Sequence, residues 1–147
     1  MLQPLISKGI KSKLNNLHKK GETKHWLYDA LIFNKVKKVL GGRVKKMATG
    51  SAPIDPSVLD FLKIAFCAPI LEGYGQTEGC SYEFSTDVRD GISGHVGGPF
   101  IENEFKLVDV PEMNYLSTDR DENGNSSPRG EIWVRGPNII PGYYKLD

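Results

Sequence analysis

The helical spacing that fills the first forty residues stops at Gly41-Gly42, and from there glycine and proline recur too closely for anything but short elements. The whole chain carries 16 Gly and 9 Pro in 147 residues, above the ordinary usage of about 7% and about 5%. A helical bundle is excluded. Short strands and helices joined by turns are the expectation, which is an α/β class of fold. With 39% hydrophobic and 25% charged residues, the chain is globular rather than disordered, and its length suits one domain with a single core.

Leu5 or Ile6, Ile10, Leu14 and Leu17 follow three- and four-residue steps, and after Lys19-Lys20-Gly21 so do Trp26, Ala30, Phe33, Val36 and Leu40. Both patterns predict helices, and Trp26 is placed in the core. Residues 43–48 read as a strand closed by the turn Gly50-Ser51-Ala52-Pro53. Asp55-Pro56 is a helix start, Asp as N-cap and Pro at the first helical position, with Val58, Leu59, Leu62 and Phe66 as its apolar face. Pro69-Ile70-Leu71 opens a second strand that runs into Gly73-Tyr74-Gly75. Further strands are expected at 104–108 and 131–134, with Trp133 in the core or against a partner strand, and residues 119–128 have the composition of an exposed loop. No internal repeat and no linker interrupts the order.

Several functional classes fall away on composition. The longest apolar stretch, Ile64 to Leu71, is far short of the roughly 20 residues that a membrane span needs. Met1 to Lys8 is too short for a secretory signal. Cys67 and Cys80, the two cysteines, make no disulfide scaffold and read as buried, inert thiols in a chain facing a reducing, cytoplasmic compartment. His18, His25 and His95 lack Cys or carboxylate neighbours at zinc spacing. Charge is uneven: residues 1–50 hold a net +10 and residues 51–147 a net −9. The basic lysines alternate with apolar positions as on a solvated amphipathic helix. Without interleaved aromatics they do not suit nucleic acid; an anionic membrane surface remains a fitting peripheral partner.

The chemistry concentrates at Gly73-Tyr74-Gly75-Gln76-Thr77-Glu78-Gly79. Glycines after a strand let backbone N–H groups approach a ligand. The Thr77 hydroxyl suits a phosphate oxygen, the Glu78 carboxylate a magnesium ion, and Tyr74 offers a flat face for a base. Glu78 stands where a dinucleotide fingerprint needs its third glycine, and no Walker phosphate loop occurs. The turn Thr49 to Pro53 follows another strand, and sites in open α/β sheets gather at such strand ends.

Tyr74-Gly75-Gln76-Thr77-Glu78 resembles the Tyr-Gly-x-Thr-Glu motif of the adenylate-forming superfamily. Three further segments are similar in order and spacing: Gly42-Arg43-Val44 through Thr49 to Ile54, Gly94-His95-Val96-Gly97, and Arg129-Gly130-Glu131 through Arg135-Gly136-Pro137-Asn138 to Gly142-Tyr143-Tyr144. Leu40-Gly41-Gly42-Arg43-Val44 and Lys106-Leu107-Val108-Asp109-Val110-Pro111-Glu112 look like the long-chain acyl-CoA synthetase branch. The resemblance implies part of the large N-terminal domain of an adenylate-forming enzyme, with short strands in sheets packed by helices. It implies a fatty acid activated with ATP and Mg²⁺ to acyl-AMP, then transferred to coenzyme A. Ser51, Ala52, Pro53, Gly73, Tyr74, Gly75, Gln76 and Thr77 would then contact ATP or AMP. Thr77 and Glu78 would be the catalytic pair, Glu78 also holding Mg²⁺. Gly79-Cys80 would lie near the acyl channel. Ser51 is a mild departure, since the family often has Ala or Gly there.

The sequence holds no glycine-rich phosphate loop of the family's kind, no Thr-Gly-Asp and no catalytic-lysine motif; it reaches Asp147 first. The resemblance therefore implies one incomplete adenylation domain over residues 1–147, mostly helical and basic up to residue 40, inside a longer synthetase that works at the cytoplasmic face of a membrane such as the endoplasmic reticulum. Such a piece is expected to be inactive alone. The competing readings are a stand-alone nucleotide- or acyl-binding module and another adenylate-forming ligase.

Overall fold

A computed structural model describes residues 2–145, apart from the side chain of Leu2; Asp147 lies outside the described residues. The fold is mixed α/β and falls into two compact units. One takes the residues up to 74 together with 84–98; the other takes 75–83 and the residues from 99 on.

In the first unit, α1 (Leu2–Lys20) is followed by α2 (Trp26–Tyr28), one π turn (Asp29–Phe33) and α3 (Asn34–Val39). The π turn inserts one residue into the helical register and rotates the buried face. Phe33 is therefore buried with Tyr28, Ile32 and Val36 packed around the same cluster, whereas Trp26, expected in the core, is 83% exposed. Gly41 and Gly42, both at positive φ, end this helical stretch.

β1 (Met47–Thr49) is shorter than the expected 43–48 strand, because its parallel pairing with β2 (Ile70–Tyr74) covers Met47 to Thr49 against Ile70 to Glu72. The crossover is α4 (Pro56–Phe66), capped as expected: Asp55 Oδ1 accepts from Ser57 N at 2.8 Å and Val58 N at 3.2 Å. The Ser57 hydroxyl and those two amides hold the Asp55 carboxyl below the ordinary range. β3 (Phe84–Ser85) pairs antiparallel with the end of β2, Gly73 opposite Ser85 and Tyr74 opposite Phe84, and β4 (Gly98–Pro99) follows. Leu17, Leu59, Ile64, Ala68, Ile70 and Phe84 are buried with the Phe33 cluster. Among the described residues, the buried hydrophobic ones all belong to this unit.

Two lysines are buried beside them, Lys13 and Lys63, and the first makes the more connected site. Lys13 is 0% exposed; its ammonium is paired with Asp29, donates to Cys67 Sγ at 3.1 Å and sits 4.3 Å from the centre of the Phe33 ring. Burial pushes the Cys67 thiol up. Cys67 is itself the left-handed C-cap of α4, φ 55°, so Lys13 ties α1, the π turn and the end of the crossover helix together.

In the second unit, β5 (Glu104–Val108) and β6 (Glu131–Arg135) form an antiparallel pair, Glu104 opposite Arg135 through Val108 opposite Glu131. Trp133 is half exposed, lies over the Lys106 ammonium at 4.6 Å and so meets its partner strand rather than a core.

Removing the Lys13 ammonium takes the charge partner from Asp29, which keeps the His25 amide at 2.8 Å, and leaves the buried Cys67 thiol with the Ile64 carbonyl alone. Lys13→Ala is expected to cost about 3–5 kcal/mol of unfolding free energy. Lys8→Ala, exposed on the same helix, should change it by less than about 0.5 kcal/mol. Urea unfolding followed by circular dichroism checks both.

Candidate functional site

The first unit presents two of the predicted segments. β1 and β2 run parallel with Thr49 opposite Glu72, so the turn that follows β1 leaves the sheet beside the end of β2. Ser51, Ala52 and Pro53 on that turn are exposed, and Ser51 adopts a left-handed φ of 67°, a conformation that glycine takes more readily than a residue with a Cβ. Gly73 and Tyr74 close β2. The Tyr74 ring is 39% exposed and rests edge-on against buried Phe84, ring centres 5.8 Å apart. That support fixes one edge and leaves ring surface for a ligand. Farther along, His95 accepts from Gly97 N at 3.0 Å through Nδ1 and faces Asp90 at 3.2 Å through Nε2. These bonds order the glycine motif as a turn.

The second unit carries the rest of the motif. A Cβ at Gly75 would overlap the Ser81 carbonyl and Tyr82 N, so only glycine lets the chain double back here. The carbonyl of Gln76 closes the return by accepting from Gly79 N at 3.1 Å and Ser81 N at 2.8 Å, and Thr77–Gly79 form one 3₁₀ turn. At Gly79 the place of a Cβ is taken by the Glu83 carboxylate, which is 0% exposed. Cys80, expected to be buried, is exposed; it caps that turn in the left-handed conformation, φ 55°.

Three hydrogen bonds from the segment after β6 hold the turn. Ile140 N donates to the Glu78 carbonyl at 2.8 Å, Asn138 Nδ2 to the Gly79 carbonyl at 2.8 Å, and the Tyr143 hydroxyl to Glu78 Oε1 at 2.6 Å. The Tyr143 bond, with Glu78's own amide, keeps the Glu78 carboxyl below the ordinary carboxylate range. The same contact pushes the Tyr143 phenol up, with Thr77 acting in the opposite direction. Thr77 is exposed and Glu78 half-buried. Beside the turn lies a cavity of about 260 Å³ lined by Gly79, Cys80, Tyr82, Phe100, Asn103 and Asn138 among others. A larger cavity, about 350 Å³, covers β5 and β6 and brings no chemical group to the motif.

Magnesium suits this donor set. Among the described residues no three His, Cys, Asp or Glu side chains converge on a metal position, and an ion held mainly by substrate phosphates and water needs only one or two carboxylates. Glu78 is such a carboxylate. No local pattern signals the bonds made by Asn138, Ile140 and Tyr143, or the burial of Glu83; the 136–144 segment is visible as a motif, without a partner.

Residues 7–144 match the profile of the AMP-binding enzymes. The chain belongs to the AMP-binding enzyme family. This family member is 51% identical over 125 residues to the long chain acyl-CoA synthetase 7, peroxisomal, of Arabidopsis thaliana, a match covering 85% of this chain and 17% of the relative. It is 44% identical over 141 residues to fatty acyl-CoA synthetase A of Dictyostelium discoideum, covering 96% of this chain and 20% of the relative. Among solved structures, the adenylation domain of a carboxylate reductase from Mycobacterium chelonae superposes with a TM-score of 0.59 at 31% identity, over 92% of this chain and 19% of that one. The chain thus spans about a fifth of the length of these relatives.

The folded pKa of Glu78 lies below its unfolded value and that of Tyr143 above its own. Their bond therefore stabilises the fold above the unfolded Glu pKa of about 4.3 and below the unfolded Tyr pKa of about 10. It weakens as the pH falls through the folded Glu78 value or rises through that of Tyr143. In Tyr143→Phe the Glu78 side-chain carboxyl should titrate closer to the ordinary value, an upward shift read from its ¹³C resonance.

Proposed function

We propose that this chain supplies the nucleotide-contacting part of a long-chain fatty acid–CoA ligase. The observation that carries this reading is the Gln76–Gly79 turn with Glu78 oriented by Tyr143, in a chain whose relatives are named acyl-CoA synthetases. A fatty carboxylate attacks the α-phosphorus of ATP and pyrophosphate leaves, giving acyl-AMP; the thiol of coenzyme A then attacks the acyl carbon and AMP leaves. Both reactants of the first step are anions, so donors and positive charge must stand where negative charge develops.

Each residue has a part in that chemistry. Ser51, Ala52 and Pro53 line the adenine by backbone, and Tyr74 stacks on it. Gly73, Gly75 and Gln76 bring main chain close to the nucleotide. The Thr77 hydroxyl donates to an α-phosphate oxygen, and Glu78 holds Mg²⁺, which when bound neutralises phosphate charge. The 147 residues contain neither the family's phosphate loop nor its catalytic-lysine motif. The reaction accordingly belongs to a longer synthetase of which this segment is one part, and the isolated segment does not turn over.

A peripheral membrane position completes the reading. No helix among the described residues is long and apolar enough to cross a membrane. Lys8, Lys11, Lys19 and Lys20 are exposed on α1, and each basic group near an anionic surface adds roughly 1 kcal/mol, screened by salt. The synthetase works at the cytoplasmic face of a membrane such as the endoplasmic reticulum, where its long-chain substrate partitions.

Two outcomes are expected. In the complete synthetase, Glu78→Gln keeps the shape and loses the charge, so ATP–pyrophosphate exchange should fall by about two orders of magnitude or more. Thioester formation from supplied acyl-adenylate should fall less. Unchanged exchange would reduce Glu78 to a turn residue and favour a binding module without this chemistry. Co-sedimentation at low salt should show binding to anionic vesicles and little to neutral ones; equal binding to both, or to neither, removes the electrostatic account.

A further inference from the structure

Glu78 is long and partly open to solvent, and on its own element only its own amide meets the carboxylate. The turn itself is fixed twice at backbone level, by Ile140 N on the Glu78 carbonyl and by Asn138 Nδ2 on the Gly79 carbonyl. Both bonds locate the main chain and leave the carboxylate free to rotate. The third contact from the same segment reaches the side chain: the Tyr143 hydroxyl donates to Glu78 Oε1 at 2.6 Å. A carboxylate that holds a metal works best when one oxygen is pinned by an outer hydrogen bond, because the pinned group meets the ion in one orientation.

We propose that Tyr143 is a positioning residue for adenylation, holding the Glu78 carboxylate through Oε1 in the orientation that receives the metal–nucleotide complex. The proposal rests on the reading of Glu78 given above. The Tyr143 hydroxyl meets the motif turn at Glu78 and Thr77, and through Asn138 and Ile140 the register of its own segment is tied to that turn. A phenylalanine fills the same space and removes only the hydroxyl, so packing and charge effects separate.

The test uses the complete synthetase with Tyr143→Phe beside Glu78→Gln. Tyr143→Phe should weaken equilibrium binding of Mn²⁺–ATP, read by electron paramagnetic resonance, and slow ATP–pyrophosphate exchange, each by about 10- to 100-fold. It should raise the Mg²⁺ concentration needed for half-maximal exchange. Thioester formation from supplied acyl-adenylate should stay near its original rate, which a general loosening of the fold would not allow. Mn²⁺–ATP binding and exchange unchanged in Tyr143→Phe, with Glu78→Gln impaired, would overturn the role of Tyr143 and leave Glu78 in place. Equal losses in both half-reactions would make Tyr143 structural and overturn the proposal as well. Unchanged exchange in Glu78→Gln would instead bring down the underlying reading, and the role of Tyr143 with it.

Discussion

The ammonium of Lys13 is the interaction on which the helical unit depends. A lysine with no exposed surface has to find its partners inside, and this one finds a carboxylate, a thiol and an aromatic face on three different stretches of chain. Burying a charge in this way adds little net stability when complete and costs heavily when broken. The ammonium ties α1 to the π turn and the α4 C-cap. From that cap the chain runs on through Ala68 and Pro69 into β2, which ends in Gly73 and Tyr74.

The second unit solves a different problem with different means. Its motif turn has little apolar burial to hold it, so hydrogen bonds do the positioning. Glycine at 75 and 79 admits the backbone of residues 81–82 and the Glu83 carboxylate where side chains would stand, and the segment after β6 closes over the turn with two backbone-directed bonds and one to Glu78. A turn held at backbone level with one oriented carboxylate is preorganised, so little rearrangement is left for binding.

Much of this was legible in the sequence, and the exceptions have physical causes. Asp55-Pro56 located a helix start to the residue, because capping is local chemistry. The strand at 104–108 was visible from its pattern, as was most of 131–135. Trp26 was misplaced because an inserted π residue shifts the buried face and leaves no signature in three- and four-residue spacing. The strand at 43–48 shortened because a strand extends only as far as its partner does. Cys80 came out exposed because its turn lies in the unit that has none of the buried hydrophobic residues among those described. At the site, the motif residues were readable one by one, whereas the Tyr143–Glu78 bond spans 65 positions and belongs to tertiary structure alone.

The central claim is that Tyr74 through Glu78 is a nucleotide site rather than a well-ordered turn. A crystal structure of the complete synthetase with a non-hydrolysable acyl-adenylate analogue tests it most directly. The account predicts the adenine ring stacked on Tyr74 and the phosphate-mimicking group within hydrogen-bond reach of the Thr77 hydroxyl. An analogue bound elsewhere, with Tyr74 and Thr77 facing only solvent or protein, would contradict it.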